Sequence, residues 1–326
     1  MYGGERAGQL GDSASLVSMT DTVAFLGPAG TFTEAALLKF AQAGAFGSTG
    51  EFDPLPVSSP SEAFHAVRSA KARYACVAVE NSVDGAVTAT YDAFVEGAAV
   101  QIYREVELAV EFSIMVRPGT SAENIQKIAT HPVAFQQIRK WLQAHLPAVE
   151  FVPATSNAAA AEMVADGEVD AAAAPQRAAE LYGLEELASE VADVRGASTR
   201  FVLVGEPGPP LPATGQDCTS VIFTLPNEPG SLVNALQEFA YRGVDMSRIE
   251  SRPTRQKIGS YRFHVDLVGH IDDAPLAEAL RALWLRCEQL TFGGSWPAQR
   301  PTGQGPRDLE RLREADAWVA RARQGK

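Results

Sequence analysis

The chain has 326 residues, enough for two or three domains with cores of their own. Its composition, 46% hydrophobic and 21% charged, is ordinary for a soluble globular protein. The formal net charge of −12 argues against a nucleic-acid partner, which requires a basic face. Any anionic substrate must therefore be attracted by a local cation, since the overall field repels it.

The cysteines and the N-terminal residues exclude further classes. Cys76, Cys218 and Cys287 lie far apart and lack the spacing of metal ligands, which predicts reduced thiols in a cytoplasmic protein without a metal site. The first 20 residues carry charge but no apolar signal-peptide core, and no stretch reaches membrane-spanning length. We expect a disordered leader over residues 1–20 and no contact with a membrane.

From Thr22 to about Val204 the sequence alternates strand-like and helix-like segments, which is typical of an α/β fold. Strands are predicted at 23–26, 74–79, 125–130, 149–152, 171–174 and 199–204, and helices after Thr31, over 83–96, 134–145 and 157–166, and from Pro175. The β-rich stretch Val106–Val116 is interpreted as one strand that passes into a second lobe. The strand at 199–204 then returns the chain to the first.

Two chain crossings predict two α/β lobes joined by a hinge with a cleft between them, as in two-lobed periplasmic binding proteins. We expect lobe one to hold about 21–105 and 196–206, and lobe two about 106–195. A Pro/Gly-rich linker follows at 207–216.

A β-α-β-β-α-β pattern over 217–296 predicts a ferredoxin-like second domain. Its strands are expected at 219–225, 244–252, 261–268 and 289–292, and its helices at 232–241 and 275–285. The charged tail, residues 297–326, is expected to contain a solvated helix near 308–323.

Four polar clusters each follow an apolar run in the α/β part. They are Gly27–Thr31, Glu80–Ser82, Thr130–Pro132 and Thr199–Phe201. Ligands of open α/β sheets bind outside the carboxyl ends of strands, so the four clusters predict one shared cleft. Taken singly, each has a structural explanation as a tight turn, a helix cap or half of a surface ion pair.

Two of these clusters are suited to bind a carboxylate. Gly30 and Thr31 precede a helix, where backbone N–H groups and the helix dipole favour an anion. The guanidinium of Arg200 has the fork geometry of bidentate carboxylate recognition. Gln137, one to two turns into the helix after Pro132, is expected to face the same cleft.

This ordered set of motifs resembles the prephenate dehydratase family over about Thr22–Ser295. Two further motifs resemble the phenylalanine-sensing ACT domain of that family, Gly230-Ser231-Leu232-Val233 and Glu250-Ser251-Arg252-Pro253. Small departures are Thr130 where serine is usual, Ser231 where alanine is usual and Asp245 where asparagine is common. Asp245 adds a charge near the implied effector pocket.

The resemblance implies conversion of prephenate to phenylpyruvate, carbon dioxide and water, with no cofactor because aromatisation drives the reaction. It implies that Thr199 assists departure of the ring hydroxyl, with the proton supplied by Glu80, a water or solution. Arg200 or a helix N-terminus would bind the pyruvyl carboxylate, while the ring carboxylate, which leaves as carbon dioxide, would lie against an apolar wall such as Phe201 or Phe32. The residues expected to position substrate are Gly30, Thr31, Asn81, Ser82, Thr130 and Gln137.

The ACT resemblance implies L-phenylalanine as an allosteric effector and a homo-oligomer, either a dimer or a dimer of dimers. Phenylalanine would bind between the Gly230–Val233 turn of one subunit and the Glu250–Pro253 segment of another. Two alternatives remain open: an arogenate dehydratase, and a non-catalytic amino-acid sensor built from a two-lobed binding protein and an ACT module.

Overall fold

A computed structural model of the chain describes residues 20–47, 50–255, 257–299 and 309–325. Residues 1–19 of the predicted leader and 300–308 of the predicted tail lie outside the described residues. Among the helices that the structure describes, none combines the length and the apolar character needed to cross a bilayer.

Lobe one is a mixed sheet in the order β2-β1-β3-β11-β5. Its strands are β1 (Asp21–Leu26), β2 (Phe52–Val57), β3 (Tyr74–Asn81), β4 (Gly85–Ala86, paired with β3), β5 (Gln101–Ala109) and β11 (Ser198–Gly205). Its helices are α1 (Phe32–Gln42), α2 (Pro60–Arg68) and α3 (Thr88–Phe94). Strands β1, β2 and β3 are parallel, whereas β11 runs antiparallel to β3 and β5. The start of β11 therefore lies at the carboxyl ends of β1 and β3.

Lobe two is a second sheet in the order β10-β6-β9-β7-β8. Its strands are β6 (Ser113–Val116), β7 (Lys127–Thr130), β8 (Glu150–Pro153), β9 (Ala171–Ala174) and β10 (Glu185–Ala188). Its helices are α4 (Pro132–His145), α5 (Asn157–Ala165) and α6 (Gln176–Tyr182). The carboxyl ends of the parallel strands β7 and β9 lie at one edge of the sheet, which is where ligands of open α/β sheets bind.

The third sheet has the order β13-β14-β12-β15 and is wholly antiparallel. It contains β12 (Asp217–Thr224), α7 (Ser231–Ala240), β13 (Met246–Pro253), β14 (Tyr261–Val268), α8 (Ala274–Trp284) and β15 (Gln289–Pro297). This order of elements confirms the predicted βαββαβ arrangement. A last helix, α9 (Leu309–Arg323), exposes every side chain described in it, as expected of a solvated tail.

The structure departs from the sequence prediction at several elements. The single strand expected over 106–116 is two strands, because Val110 and Phe112 turn into the core of lobe two between them. The helix expected over 83–96 is the short strand β4 followed by the shorter α3. Strand β2, helix α2 and strand β10 were not predicted. Pro54 and Pro56 argue against a strand in the sequence of β2. Both are tolerated in the structure because β2 is an edge strand.

The third sheet packs directly on lobe one and shares a core with it. Cys218, Ile222 and Trp296 of the third sheet are buried in the same apolar cluster as Val202 of β11. The backbones also approach closely, since a Cβ placed on Gly294 would collide with the carbonyl oxygen of Ile102. The two domains thus form one packed unit.

His264 of β14 is buried at this interface, between the rings of Tyr91 and Phe94 at centroid distances of 5.0 and 6.4 Å. Burial, together with the nearby cations Arg248 and Arg262, lowers the pKa of His264 to about 3. The imidazole is therefore neutral throughout the physiological range. Its Nε2 has no hydrogen-bond partner among the described residues.

His264 should make the fold sensitive to mild acid. In the unfolded chain the imidazole titrates near 6.5, whereas in the folded chain it does so near 3, so protons favour unfolding as the pH falls below 6.5. Between pH 7 and pH 5 the free energy of unfolding should therefore fall by about 2 kcal/mol more in wild type than in His264→Leu. Urea unfolding at both pH values measures this difference, and parallel losses in the two proteins would contradict it.

Candidate active site

A β-bulge at the end of β3 determines which side chains meet at the mouth of lobe one. Thr199 lies opposite Asn81 and Arg200 opposite Glu80, but Phe201 lies opposite Ala78. Val79 is therefore an extra residue, and Val79 and Glu80 together oppose Arg200. Because neighbouring strand residues point to opposite faces, Thr199 and Asn81 share one face of the sheet, while Glu80 and Arg200 share the other.

On the first face, the Asn81 amide fixes the Thr199 hydroxyl. Asn81 Nδ2 donates to Thr199 Oγ1 at 2.9 Å, and Asn81 Oδ1 accepts from the backbone N–H groups of Val83 and Asp84 at 2.8 and 3.0 Å. With its oxygen occupied as an acceptor, Thr199 retains its own hydrogen for donation. The pair is thus arranged as an oriented hydrogen-bond donor at the carboxyl ends of β1 and β3.

On the second face, the guanidinium of Arg200 is held by two carboxylates. Its Nε and Nη2 both lie 2.7 Å from Glu105 Oε2 on β5, and its Nη1 lies 2.7 Å from Asp266 Oδ2 on β14. All three contacts are mostly buried, since the side chains of Glu105 and Asp266 are 7% and 6% exposed. Arg200 therefore does not point into the cleft, and the structure gives no support to its expected role as a clamp for a substrate carboxylate.

The titration behaviour of this cluster follows from the ion pairs. Burial alone would raise the pKa of Asp266, but the charges of Arg200 and Arg248 outweigh burial and lower it. Burial likewise opposes the charge on Arg200, and Asp266 and Glu105 outweigh it and raise the pKa of the guanidinium. Asp266 and Arg200 therefore carry opposite charges at neutral pH and stabilise each other in the buried interface.

Glu80 also lies on this second face, away from Thr199. Its carboxylate is 3.5 Å from Nε of Arg248 on β13, and the guanidinium of Arg248 covers the ring of Tyr91 at 4.3 Å. Glu80, Arg200 and Arg248 line a cavity of about 260 Å³ between lobe one and the third sheet. The structure thus brings Asn81 to Thr199 but separates Glu80 from it, so it gives no support to the expected role of Glu80 as a proton source there.

The two lobes meet at the edge where Thr199 begins its strand. Gln137 Nε2 on α4 donates to Asp84 Oδ2 at 2.9 Å, which joins lobe two to the loop after Asn81. Arg177 on α6 reaches towards Glu34 on α1, with Nε 3.8 Å from the carboxylate. Gln137 therefore lies at the contact between the lobes, and its contact with substrate stays a prediction.

Gly30 and Thr31 lie at the same mouth, but their polar groups are already engaged. Thr31 is the N-cap of α1 and accepts from the Glu34 backbone N–H at 3.3 Å. The carboxylate of Glu34 in turn accepts from Gly30 N at 2.7 Å. Thr31 and Glu34 have the Ser/Thr-x-x-Glu spacing of a capping box, but the Glu34 carboxylate binds the N–H group of Gly30 and not that of the N-cap Thr31. The N–H group of Gly30 is consequently bound to a carboxylate of the chain itself.

Three further predicted site residues serve the framework in this structure. Thr130 is fully buried and its hydroxyl donates to Ala173 O at 2.8 Å. Ser82 joins β3 to β11, since Ser82 Oγ accepts from Ser198 N at 2.9 Å. Phe201 is buried beneath α1, so it forms no wall of the cleft. Phe32 stands between the cores of the two lobes and packs edge-on against Phe112 at 5.6 Å.

The motifs predicted to bind an effector lie on the third domain. Gly230 adopts a left-handed conformation (φ +85°) as the N-cap of α7, and Val233 is largely exposed behind it. The Glu250–Pro253 segment belongs to β13, an edge strand of the sheet. Arg252 contacts Asp92 on α3 at 3.2 Å, so this strand touches lobe one as well.

Sequence reasoning missed several polar residues that the fold brings to the site. Asp84 and Arg177 lie at the contact between the lobes, and Glu105 and Asp266 bind Arg200. Asp266 could have been found from the sequence, because it is a carboxylate between the apolar residues of β14. A charge at a buried strand position requires a partner. Within the described ranges, no group of three or more His, Cys, Asp or Glu side chains is placed to hold a metal ion.

Comparison with known proteins gives two family matches. Residues 23–209 match the model of the prephenate dehydratase family, and residues 219–285 match that of the ACT domain. A prephenate dehydratase of Corynebacterium glutamicum is 58% identical over 306 residues, covering 93% of this chain and 97% of that protein.

Solved structures give a consistent result. The prephenate dehydratase of Arthrobacter aurescens, solved in complex with L-Phe, is 39% identical with a TM-score of 0.83, covering 93% of this chain and 99% of that one. A protein described as a quorum-quenching acylase, GqqA, is 32% identical with a TM-score of 0.75, covering 85% of this chain and 98% of that one.

The contact at Gly30 provides a test of how tightly the lobes meet. Gly30 and Gly44 both have positive φ values, +84° and +71°, so alanine at either position costs about 1 kcal/mol of stability from the backbone. An added Cβ at Gly30 would also lie 3.3 Å from Ala158 Cβ of lobe two, whereas Gly44 has open space. Gly30→Ala should therefore cost about 1 to 3 kcal/mol more than Gly44→Ala in urea unfolding. Equal losses would show that the lobes do not press together there.

Proposed function

The chain belongs to the prephenate dehydratase family and is a lyase of that family, and we propose that its chemistry takes place at the Thr199–Asn81 pair. The observation that supports this site is the 2.9 Å bond that orients the Thr199 hydroxyl while leaving its hydrogen for donation. The pair lies where the two lobes meet, at the carboxyl ends of parallel strands, which is the usual ligand position in such folds.

The reaction needs few groups from the protein. Prephenate loses its ring hydroxyl as water and its ring carboxylate as carbon dioxide, and the electrons of the broken C–C bond complete the aromatic ring of phenylpyruvate. The Thr199 hydroxyl, oriented by Asn81, donates a hydrogen bond to the departing oxygen. Because Thr199 is a very weak acid, the proton that completes water comes from a water molecule or from solution. We do not assign this role to Glu80, because its side chain lies on the opposite face of the sheet.

The two substrate carboxylates need different surroundings. The pyruvyl carboxylate remains charged, and since Arg200 is held by Glu105 and Asp266, another cation must receive it. We assign this role to Arg177 at the contact between the lobes. Its Nη1 binds Glu180 at 3.2 Å, but its Nε has no hydrogen-bond partner among the described residues and lies 3.8 Å from Glu34. The ring carboxylate becomes neutral and is favoured by an apolar neighbour such as Phe32.

The ACT domain makes phenylalanine the regulatory ligand. We propose that it binds between the Gly230–Val233 turn and the Glu250–Pro253 segment of a second copy, in a homodimer or a dimer of dimers. The exposed edge of β13 and the left-handed turn at Gly230 support this arrangement. The three unpaired cysteines support a reducing compartment, and we propose the cytoplasm.

Removal of the Thr199 hydroxyl should impair the chemical step rather than binding. Thr199→Val should lower kcat by about a hundredfold or more while KM for prephenate changes by no more than about threefold, since the bond strengthens only in the transition state. Phenylpyruvate formation followed by absorbance measures both constants. The same assay on arogenate, with phenylalanine as the expected product, tests the arogenate alternative.

The matched control is Thr90→Val, at a buried threonine of the same lobe whose hydroxyl donates to Ala78 O at 2.7 Å. It should retain wild-type kcat. Equal losses in both variants, or a Thr199→Val defect confined to KM, would contradict the proposed role. A wild-type protein that leaves prephenate unchanged would support the non-catalytic sensor instead.

The effector site is tested at Gly230, where an added methyl group would occupy the turn that the ligand approaches. Gly230→Ala should weaken phenylalanine binding by about tenfold, equivalent to about 1.4 kcal/mol, as measured by calorimetry on the full chain. Gly243→Ala is the control, because Gly243 also has positive φ but lies at the other end of α7 with open space around it. Unchanged affinity in Gly230→Ala would place the effector elsewhere.

A further inference from the structure

Two ACT-domain residues contact strands β11 and β3 on the face of the sheet opposite to Thr199 and Asn81. We propose that Asp266 and Arg248 are positioning residues for the dehydratase site and that their contacts with Arg200 and Glu80 transmit the phenylalanine signal to it. This inference rests on the proposed site at Thr199.

The contact with Arg200 fixes the start of β11. Three nitrogens of its guanidinium are occupied, two by Glu105 and one by Asp266, each at 2.7 Å. Glu105 also contacts the residues that directly follow β15 of the ACT domain, since its Oε1 accepts from Gln299 N at 2.8 Å. Because Arg200 follows Thr199 directly, a shift of this cluster rotates or displaces the peptide that carries the Thr199 hydroxyl.

The contact with Glu80 acts on the partner strand. Arg248 is 9% exposed, is stacked on Tyr91 and places its Nε 3.5 Å from the Glu80 carboxylate. Glu80 is the second residue of the bulge, and Asn81, which holds Thr199, is the next residue. Bulges re-aim the side chains that follow them, so the Arg248 contact bears on the orientation of the Asn81 amide.

The same strand of the ACT domain carries the proposed effector segment. Arg248 and Glu250 occupy alternate positions on β13, so they face lobe one together. In the sheet, Arg248 lies directly opposite Asp266 of β14. A ligand that moves β13 at Glu250–Pro253 therefore displaces Arg248, which lies beside both Asp266 and Glu80. Strand β13 is thus an element that both sites share, and coupling follows if phenylalanine favours one of two positions of this strand.

The test is Asp266→Asn, which keeps the shape of the side chain and removes its charge. We expect kcat to fall by about a hundredfold, as for a small misplacement of a catalytic group, with KM for prephenate within about threefold of wild type. We also expect calorimetry to show near wild-type phenylalanine affinity while the extent of inhibition falls. A merely structural role would lower the folded fraction, measured by near-UV circular dichroism, without separating binding from inhibition.

Two controls match the change. Asp92→Asn removes a carboxylate that also joins the ACT domain to lobe one, through Arg252 and Arg255, but lies on α3 away from both strands. Glu238→Gln removes a buried carboxylate held by Arg242 within the ACT domain. Both should keep kcat within about twofold of wild type, because neither contacts the Thr199 strand.

Glu80→Gln keeps the inference testable if Asp266→Asn does not fold, since the Glu80 side chain is 41% exposed and tolerates an amide. It should weaken phenylalanine inhibition by about fivefold. A folded Asp266→Asn with wild-type kcat and inhibition overturns the inference, and so does a Glu80→Gln with a wild-type inhibition curve. Failure of wild type to dehydrate prephenate would instead overturn the proposed function.

Discussion

The buried ion cluster of Arg200 with Glu105 and Asp266 is the interaction on which the arrangement depends. It joins three sheet strands from two domains, β11, β5 and β14, at 2.7 Å contacts. Loss of one partner from such a buried cluster typically costs about 3 to 5 kcal/mol, because the remaining charge is left without compensation. The cluster gives the catalytic lobe and the ACT domain a common orientation, and the shared apolar core around Trp296 maintains it.

A second constraint is the bulge at Val79, which places the proposed catalytic side chains and those that contact the ACT domain on opposite faces of one pair of strands. Without the extra residue, Glu80 would lie opposite Thr199 and share its face. With it, Asn81 takes that place and Glu80 turns to Arg248. One side of β3 and β11 is thus available to substrate, and the other side is held by the ACT domain. A protein described as a quorum-quenching acylase has a similar architecture, so the fold alone does not define the reaction.

Much of the fold was predictable because the relevant signals are local. The helix that begins after Thr31, the alternation of strands and helices and the βαββαβ order of the ACT domain all appear in the structure as expected. The roles of Arg200 and Glu80 were not predictable, because the first depends on a carboxylate 66 positions away and the second on a bulge that leaves no mark in composition. Strand β2 was not predicted because its prolines are tolerated only at a sheet edge, and the edge position is not visible in the sequence.

The central claim is that substrate binds on the Thr199 and Asn81 face while Arg200 stays in its ion cluster. A crystal structure with a bound, unreactive prephenate analogue tests this most directly. The account predicts an analogue in contact with the Thr199 hydroxyl, with the Arg200 guanidinium still bound to Glu105 and Asp266. An analogue carboxylate bound by Arg200, with Asp266 released, would contradict it.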